Sequence, residues 1–239
     1  MEIIYIALLT IIAASVGTLT GFGTSTIMVP ILSLFLPLPQ TLLLAGVIHY
    51  FGDIWKIVFF REGIRWKLLL FFGIPGIIFT FIGARLVFSI PEILLSRILG
   101  GFLIAYSSFL FLKPGFKFRQ SAKIAALGGG LYGFFAGIFG VGGAIRGAFL
   151  SAFDLPKAVY IATAGAIAIA VDSTRLITYF LSGIKLDKIF LLGFLLFIPA
   201  SFLGAFIAKK ISLKIPQNKF RLVVAAFLFL VGIRLLLIN

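Results

Sequence analysis

Long uninterrupted runs of apolar residues restrict the fold of this chain more than any other feature. Each run approaches or exceeds the about 20 residues that a helix needs to cross roughly 30 Å of hydrocarbon. The runs are Ile3–Leu19, Thr41–Phe60, Leu68–Phe88, Ile93–Leu112, Val159–Leu181, Ile189–Ala208 and Leu222–Ile238. Lipid permits only helices or closed barrels, and the sequence has no alternating strand pattern. The chain is therefore predicted to be an all-α, polytopic, multi-pass protein of the cell membrane.

Composition excludes several classes of function. Charged residues make up only 12% of the chain, too few to cover the surface of a soluble domain of this length. The chain contains no cysteine, which excludes disulfides and thiolate metal sites. We expect the formal net charge of +14 to orient the helices in the bilayer, and we expect no nucleic-acid partner, cofactor or metal.

The two halves of the chain resemble each other at a nearly constant offset. Gly21–Gly23 recurs 119 positions later as Gly140–Gly142, and the Asp53–Lys56 segment recurs at the same offset as Asp172–Arg175. Charged residues are scarce here, so a repeat that includes them is informative. The chain therefore divides into a first transmembrane repeat (1–112), a basic connecting loop (113–123) and a second transmembrane repeat (124–239), within one membrane domain.

Each half begins with two short apolar segments separated by a glycine-rich break, and three spanning helices follow. The breaks cover 17–24 and 138–143, and the flanking segments are Ile3–Val16 and Ser25–Leu38 in the first half, Ile124–Gly137 and Ala144–Phe153 in the second. Fourteen helical residues reach only about 21 Å, too short for a comfortable crossing. Each pair is either one long bent helix or a hairpin that returns to its own side.

The distribution of lysine and arginine favours hairpins in two inverted halves. With three crossings in each half, one side of the membrane collects most of these residues: Arg61, Arg65, Lys67, Lys113, Lys117, Arg119, Lys123, Lys157, Lys209, Lys210, Lys214, Lys219 and Arg221. The other side collects Arg85, Arg97, Lys185, Lys188 and Arg234. Because cytoplasmic loops carry the excess of basic residues, we predict inverted repeats with both termini outside.

The glycine-rich breaks are the predicted binding site for a small anion. Short, interrupted segments at matching places in two halves are typical of transporter sites. A helix that restarts near Thr24 or Gly143 directs unpaired N–H groups and its positive dipole end toward a ligand. Arg146 adds a guanidinium, a charge that lipid disfavours unless it faces a cavity or a partner such as Asp154 or Asp172. The predicted substrate-binding residues are Gly21, Gly23, Thr24, Ser25, Thr26, Gly140, Gly142, Gly143 and Arg146.

A second set of polar residues lies in the middle of apolar helices. Lys56 follows Asp53 by three positions and Arg175 follows Asp172 by three, so each half has an acid and a base on one helical face. These residues either form neutralising pairs that hold helices together or serve transport. Lys56 could also extend to the interface. His49, one turn before Asp53, could couple a proton to the anion, so protons or another ion are candidate coupling partners.

The breaks also carry a family resemblance. Gly17, Gly21–Gly23 and Val29–Leu32 in the first half, with Gly133–Gly143 in the second, resemble the TauE/SafE sulfite exporter family, also called the toluene sulfonate uptake permease family. The resemblance covers essentially the whole chain. It implies a transporter of sulfite, thiosulfate, sulfonate or a related anion. Thr24-Ser25 and Gly147-Ala148 depart from common family patterns, where more glycine and a proline are usual, and leave the substrate open.

The leading hypothesis is a secondary transporter of a small anion that works by alternating access and is not an enzyme. The sequence contains no P-loop that would couple ATP directly. A lipid-phosphate (isoprenoid phosphate) translocase with paired re-entrant hairpins is the alternative. His49 and Asp53 could also be the acid–base pair of a membrane enzyme, but no nucleophile or metal cluster accompanies them in the sequence. The sequence leaves the substrate, direction, coupling ion and oligomeric state open.

Overall fold

The computed structural model of the protein describes residues 2–60, 63–112, 119–211 and 217–237. Within these ranges the chain forms ten α-helices and one turn of 3-10 helix, Ser151–Phe153. The helices are α1 (Glu2–Thr20), α2 (Ser25–Leu32), α3 (Leu38–Phe59), α4 (Trp66–Leu86), α5 (Glu92–Leu112), α6 (Ala122–Phe139), α7 (Gly143–Leu150), α8 (Lys157–Leu181), α9 (Lys188–Ile211) and α10 (Gln217–Leu236).

Some sequence predictions fall outside the described ranges. The connecting loop predicted at 113–123 is described only from Arg119 onward. Of the basic residues counted for orientation, Arg61, Lys113, Lys117 and Lys214 and the side chains of Lys219 and Arg221 lie outside the described part of the chain.

Seven of the described helices have the length and apolar composition needed to cross a membrane: α1, α3, α4, α5, α6, α8 and α9. Large apolar side chains also cover the outside of the bundle. Leu192 and Leu195 of α9, for example, expose 67% and 76% of their surface. Such an exterior suits lipid and not water. The prediction of an all-helical, multi-pass membrane protein is confirmed.

The first helix pair is a hairpin. The N–H of Gly23 donates to the carbonyl of Gly17 at 3.1 Å, and the Thr10 hydroxyl lies 3.9 Å from the Met28 sulfur. The start of α1 and the end of α2 line one surface cavity. At the turn, Gly21 and Gly23 have φ angles of 75° and 84°, which favour glycine. Thus α2 runs back along α1 toward the side on which α1 begins.

The second helix pair has the same form. Helix α6 ends at Gly140, whose φ of 65° is left-handed and whose N–H donates to the Ala136 carbonyl at 2.9 Å. Phe149 of α7 packs on Gly128 of α6, where an added Cβ would lie 2.5 Å from the ring. The start of α6 and the residues after α7 share a cavity with the start of α4.

The helix boundaries differ from the sequence prediction. The first helices of the two halves have 19 and 18 residues, not about fourteen. In the first half Gly17 remains helical and the break narrows to 21–24, and in the second half α6 continues to Phe139. Gly17 fits there because its missing side chain leaves room for the chain at Gly23. Helix α2 ends at Leu32, and Leu38 begins α3, where its N–H donates to Glu92 Oε1 at 2.5 Å.

Close packing joins helices of different halves. Helix α4 packs along α6, α9 along α1, α5 along α10 and α3 along α8. At the α4–α6 contact, three glycines of α6 lie against the backbone of α4: Gly129, Gly133 and Gly137. Small residues allow helix backbones in lipid to approach closely. This interleaving places α3, α8 and the two breaks at the centre of the bundle.

Candidate functional site

The two glycine-rich breaks meet at the centre of the molecule. The Cα of Gly143 lies against the Phe22 carbonyl, which occupies the place where a Cβ would stand. Arg146 Nη2 donates to the carbonyl of Gly21 at 3.4 Å. Residues 21–26 and 140–143 are buried. The residues predicted from two distant parts of the sequence therefore lie in one place.

The hydroxyl groups of the first break have different surroundings. Thr26 donates to the Phe22 carbonyl at 2.7 Å and so stabilises the turn itself. The Thr24 hydroxyl oxygen is buried and has no hydrogen-bond partner among the described residues. Ser25 is 3% exposed and begins α2. Thr24 thus offers a buried polar atom to a ligand at the break.

Arg146 is fully buried, on the second turn of α7. Its side chain is 1% exposed. Nη1 donates to the Tyr132 hydroxyl at 3.3 Å, and the guanidinium carbon lies 5.2 Å from the centre of the Tyr132 ring. Its other hydrogen bond goes to a backbone carbonyl, and Nε has no partner in the described structure. The guanidinium is therefore held by a phenol and a carbonyl, not by Asp154 or Asp172.

The second predicted set of residues forms one network. Lys56 Nζ lies 2.6 Å from Asp53 Oδ1, and Arg175 Nε lies 2.7 Å from Asp172 Oδ1. His49 Nδ1 lies 2.5 Å from Asp172 Oδ2 and 3.0 Å from Asp53 Oδ2. The intrahelical pairs follow from their three-residue spacing. Lys56 does not extend to the interface, because it is only 2% exposed and binds Asp53.

The network and the breaks form a single site. His49 Nε2 faces Gly23, where an added Cβ would collide with it. Arg175 Nη1 faces Gly140 in the same way, 2.8 Å from the place of a Cβ. Neither nitrogen has a hydrogen-bond partner within the described ranges. Nitrogen atoms from α3 and α8 are thus directed at the two breaks.

The site has an excess of positive charge. The charged side chains that the described structure buries are the cations Lys56, Arg146 and Arg175 and the carboxylates Asp53 and Asp172. Three cations against two carboxylates leave one positive charge when His49 is neutral. An unbalanced charge in an apolar interior is costly. A bound anion would remove that cost.

A metal ion fits the same site poorly. One nitrogen of His49 and one oxygen each of Asp53 and Asp172 lie within 4.8 Å of one another. Both carboxylates already bind a cationic side chain, however, and Arg146 adds a third positive charge. Like charges repel strongly at low dielectric. The arrangement therefore fits an anion better than a metal cation.

Sequence reasoning missed two tyrosines and one contact. It assigned aromatic residues mainly to packing, whereas Tyr132 binds Arg146 and Tyr160 places its hydroxyl beside Gly21. It paired His49 with Asp53 only, whereas the contact with Asp172 joins the two halves. The repeat placed Asp53 and Asp172 at equivalent positions of α3 and α8, but nothing in the sequence indicated that both would lie beside His49.

Comparison with known proteins identifies the family of the chain. A family model described as Sulfite exporter TauE/SafE matches residues 6–235, which include both breaks and the whole network. A comparison with curated proteins finds no match. The matched family is one of membrane transporters. The match covers nearly the whole chain, and seven of the described helices are long and apolar enough to span a membrane. The chain is therefore a multi-pass membrane protein of the TauE/SafE sulfite exporter family.

Proposed function

We propose that the protein is a secondary transporter that binds a small sulfur oxyanion or organosulfonate, such as sulfite, thiosulfate or a sulfonate, where the two breaks meet. The observation that carries this proposal is the unbalanced positive charge buried at that point. Three nitrogen atoms without a partner in the described part of the chain support it. Those of His49 and Arg175 lie beside Gly23 and Gly140, and that of Arg146 is on α7, which begins at Gly143.

The anion would be held by several kinds of donor. Arg146 supplies a charged N–H group, and Thr24 supplies a hydroxyl. Helices α2 and α7 both begin at the breaks, so their first backbone N–H groups lie beside the site. Charge-assisted hydrogen bonds are stronger than neutral ones, and an oxyanion can accept several. These donors suit an anion with oxygen atoms on more than one side.

Burial supports a small solute over a lipid phosphate. A lipid-phosphate translocase needs a groove that is open sideways so that the lipid tail stays in the bilayer. His49, Asp53, Arg146, Asp172 and Arg175 are each at most 3% exposed. A closed polar centre of this kind suits a substrate that enters whole.

We also propose that the halves are inverted repeats that support alternating access. The packing of α4 on α6 corresponds to that of α9 on α1, and the packing of α4 on α8 corresponds to that of α9 on α3. The first hairpin shares a cavity with the start of α9, and the second shares one with the start of α4. These correspondences support hairpins that open toward opposite ends of the bundle, as an inverted repeat requires.

Binding of sulfite by the purified protein tests the proposal. In Arg146→Gln, loss of charge-assisted hydrogen bonds should weaken sulfite binding by about 10-fold to 150-fold. Arg85→Gln is the matched control, because it removes the same charge from an exposed position at the end of α4. Isothermal titration calorimetry, or the rise in Tm that sulfite causes, measures the sulfite affinity of both variants. Equal affinity in wild type and Arg146→Gln would contradict the proposed site.

Transport needs its own assay. Proteoliposomes that contain the wild-type protein should accumulate or release labelled sulfite, thiosulfate or sulfonate, and the Arg146→Gln vesicles should do so much more slowly. Movement of an isoprenoid phosphate in place of these anions would support the lipid-phosphate translocase instead.

A further inference from the structure

We infer that His49 matches the charge of the site to the charge of the anion, so that a dianion binds together with one proton and a monoanion binds without one. This inference rests on the proposed function and adds the protonation state of the site. It assigns the proton to one atom, Nε2 of His49.

The geometry around His49 leaves one nitrogen for proton exchange. Nδ1 lies 2.5 Å from an oxygen of Asp172 and 3.0 Å from an oxygen of Asp53. Because carboxylates accept hydrogen bonds, they keep the ring hydrogen on Nδ1. Nε2 is buried, has no hydrogen-bond partner among the residues that the structure describes, and faces Gly23 of the first break. A proton can therefore be gained or lost on the side of the ring that faces the substrate.

The other groups near His49 are already paired. On its own helix Asp53 binds Lys56, and on α8 Asp172 binds Arg175. Helix α7 contributes Arg146, and α6 contributes the Tyr132 hydroxyl that accepts from it. Each carboxylate thus has a cation on one oxygen and His49 beside the other. Protonation of either carboxylate would neutralise the acid of a buried ion pair, whereas protonation of Nε2 leaves both ion pairs intact.

The charge balance of the site decides which anion binds together with a proton. With neutral His49, the buried cations exceed the carboxylates by one, which balances a monoanion. With an imidazolium, the excess rises to two and balances a dianion. Sulfite occurs as both hydrogen sulfite and the dianion near neutral pH, so either form would bring the site to the same total charge. Binding of a dianion should therefore weaken as pH rises, because His49 is then harder to protonate.

Proton counting by calorimetry tests the inference. Thiosulfate serves as a permanent dianion and methanesulfonate as a permanent monoanion, each titrated in two buffers with different heats of ionisation. Between about pH 6 and pH 10, the number of protons taken up with each bound thiosulfate should rise to a maximum of about one. The number taken up with each bound methanesulfonate should stay well below half of that.

His49→Gln separates titration from hydrogen bonding. Glutamine can still donate a hydrogen bond but cannot change charge, so the variant should bind methanesulfonate and take up no proton with thiosulfate. Arg85→Gln should retain the wild-type proton count, because it removes a charge from an exposed position at the end of α4.

The outcomes distinguish the two proposals. Thiosulfate binding to the wild type without proton uptake anywhere in this range, or undiminished uptake in His49→Gln, would overturn the inference and leave the anion site intact. If neither anion binds the wild type, the proposed function itself fails. Should His49→Gln not fold, the wild-type proton counts for the two anions decide the question alone.

Discussion

Gly143, the first residue of α7, provides the most direct test of whether the two breaks are in contact. The carbonyl of Phe22 occupies the place where a Cβ would be. That carbonyl belongs to the backbone of the tight turn between Gly21 and Gly23, so it cannot rotate away as a side chain would. Gly143→Ala must therefore push the two breaks apart.

The expected cost follows from this overlap. Adding a methyl group to a packed interior destabilises a protein by about 1–3 kcal/mol. For a chain of this size that corresponds to a fall in Tm of roughly 2–12 °C. Gly147 is the matched control on the same helix, because its Cβ would meet the Tyr160 hydroxyl at 3.4 Å and the Phe22 ring at 3.7 Å, both ordinary contacts. Alanine at position 147 should stabilise the folded protein by as much as about 1 kcal/mol, because alanine favours a helix more than glycine does.

Thermal unfolding of both variants in one detergent is the assay. We expect Gly143→Ala to melt below wild type and Gly147→Ala to melt at or above it. Sulfite should also stabilise Gly143→Ala less, because the donors of the two breaks move apart. If Gly143→Ala melts no lower than Gly147→Ala, the breaks do not touch and the shared site is wrong.

Three further predictions concern the charged network, the arginine and the topology. Asp53→Asn or Lys56→Gln alone should destabilise the protein by about 3–5 kcal/mol, since each leaves a buried charge unpaired. The double variant should cost less than the sum, and additivity in a double-mutant cycle of unfolding free energies would disprove the pairing. Tyr132→Phe removes the hydroxyl that accepts from Arg146 but keeps the ring, so sulfite affinity should change by about 10-fold at most, and Tyr132→Leu should change it more. Tags at both termini should be reachable from outside intact cells, and protection of either tag would contradict the inverted topology.

Local patterns in the sequence predicted the features that depend on one helix at a time. Six of the seven apolar runs coincide with described helices that are able to span a membrane, because bilayer thickness sets the length of each helix separately. The run Leu222–Ile238 lies in α10, whose described apolar part, Ala225–Leu236, is shorter, and α6 reaches spanning length although its segment was predicted to be too short. The pairs Asp53–Lys56 and Asp172–Arg175 formed as their spacing indicated, since residues three apart lie on one helical face. The repeat also showed that the glycine-rich stretches at Gly21–Gly23 and Gly140–Gly142 correspond to each other.

Packing between helices decided the rest. The sequence could not show that Gly17 stays helical while Gly21 and Gly23 turn, because that choice depends on how the hairpin folds back on itself. It also could not choose Tyr132 over a carboxylate as the partner of Arg146, or join His49 to Asp172 across 123 positions. These contacts depend on where α6, α7 and α8 lie against α3, and that arrangement is set by many weak contacts between distant segments. Helix length and the face on which a residue lies depend on nearby residues, so the sequence alone predicts them. The contact between the two breaks depends on the packing of the whole bundle.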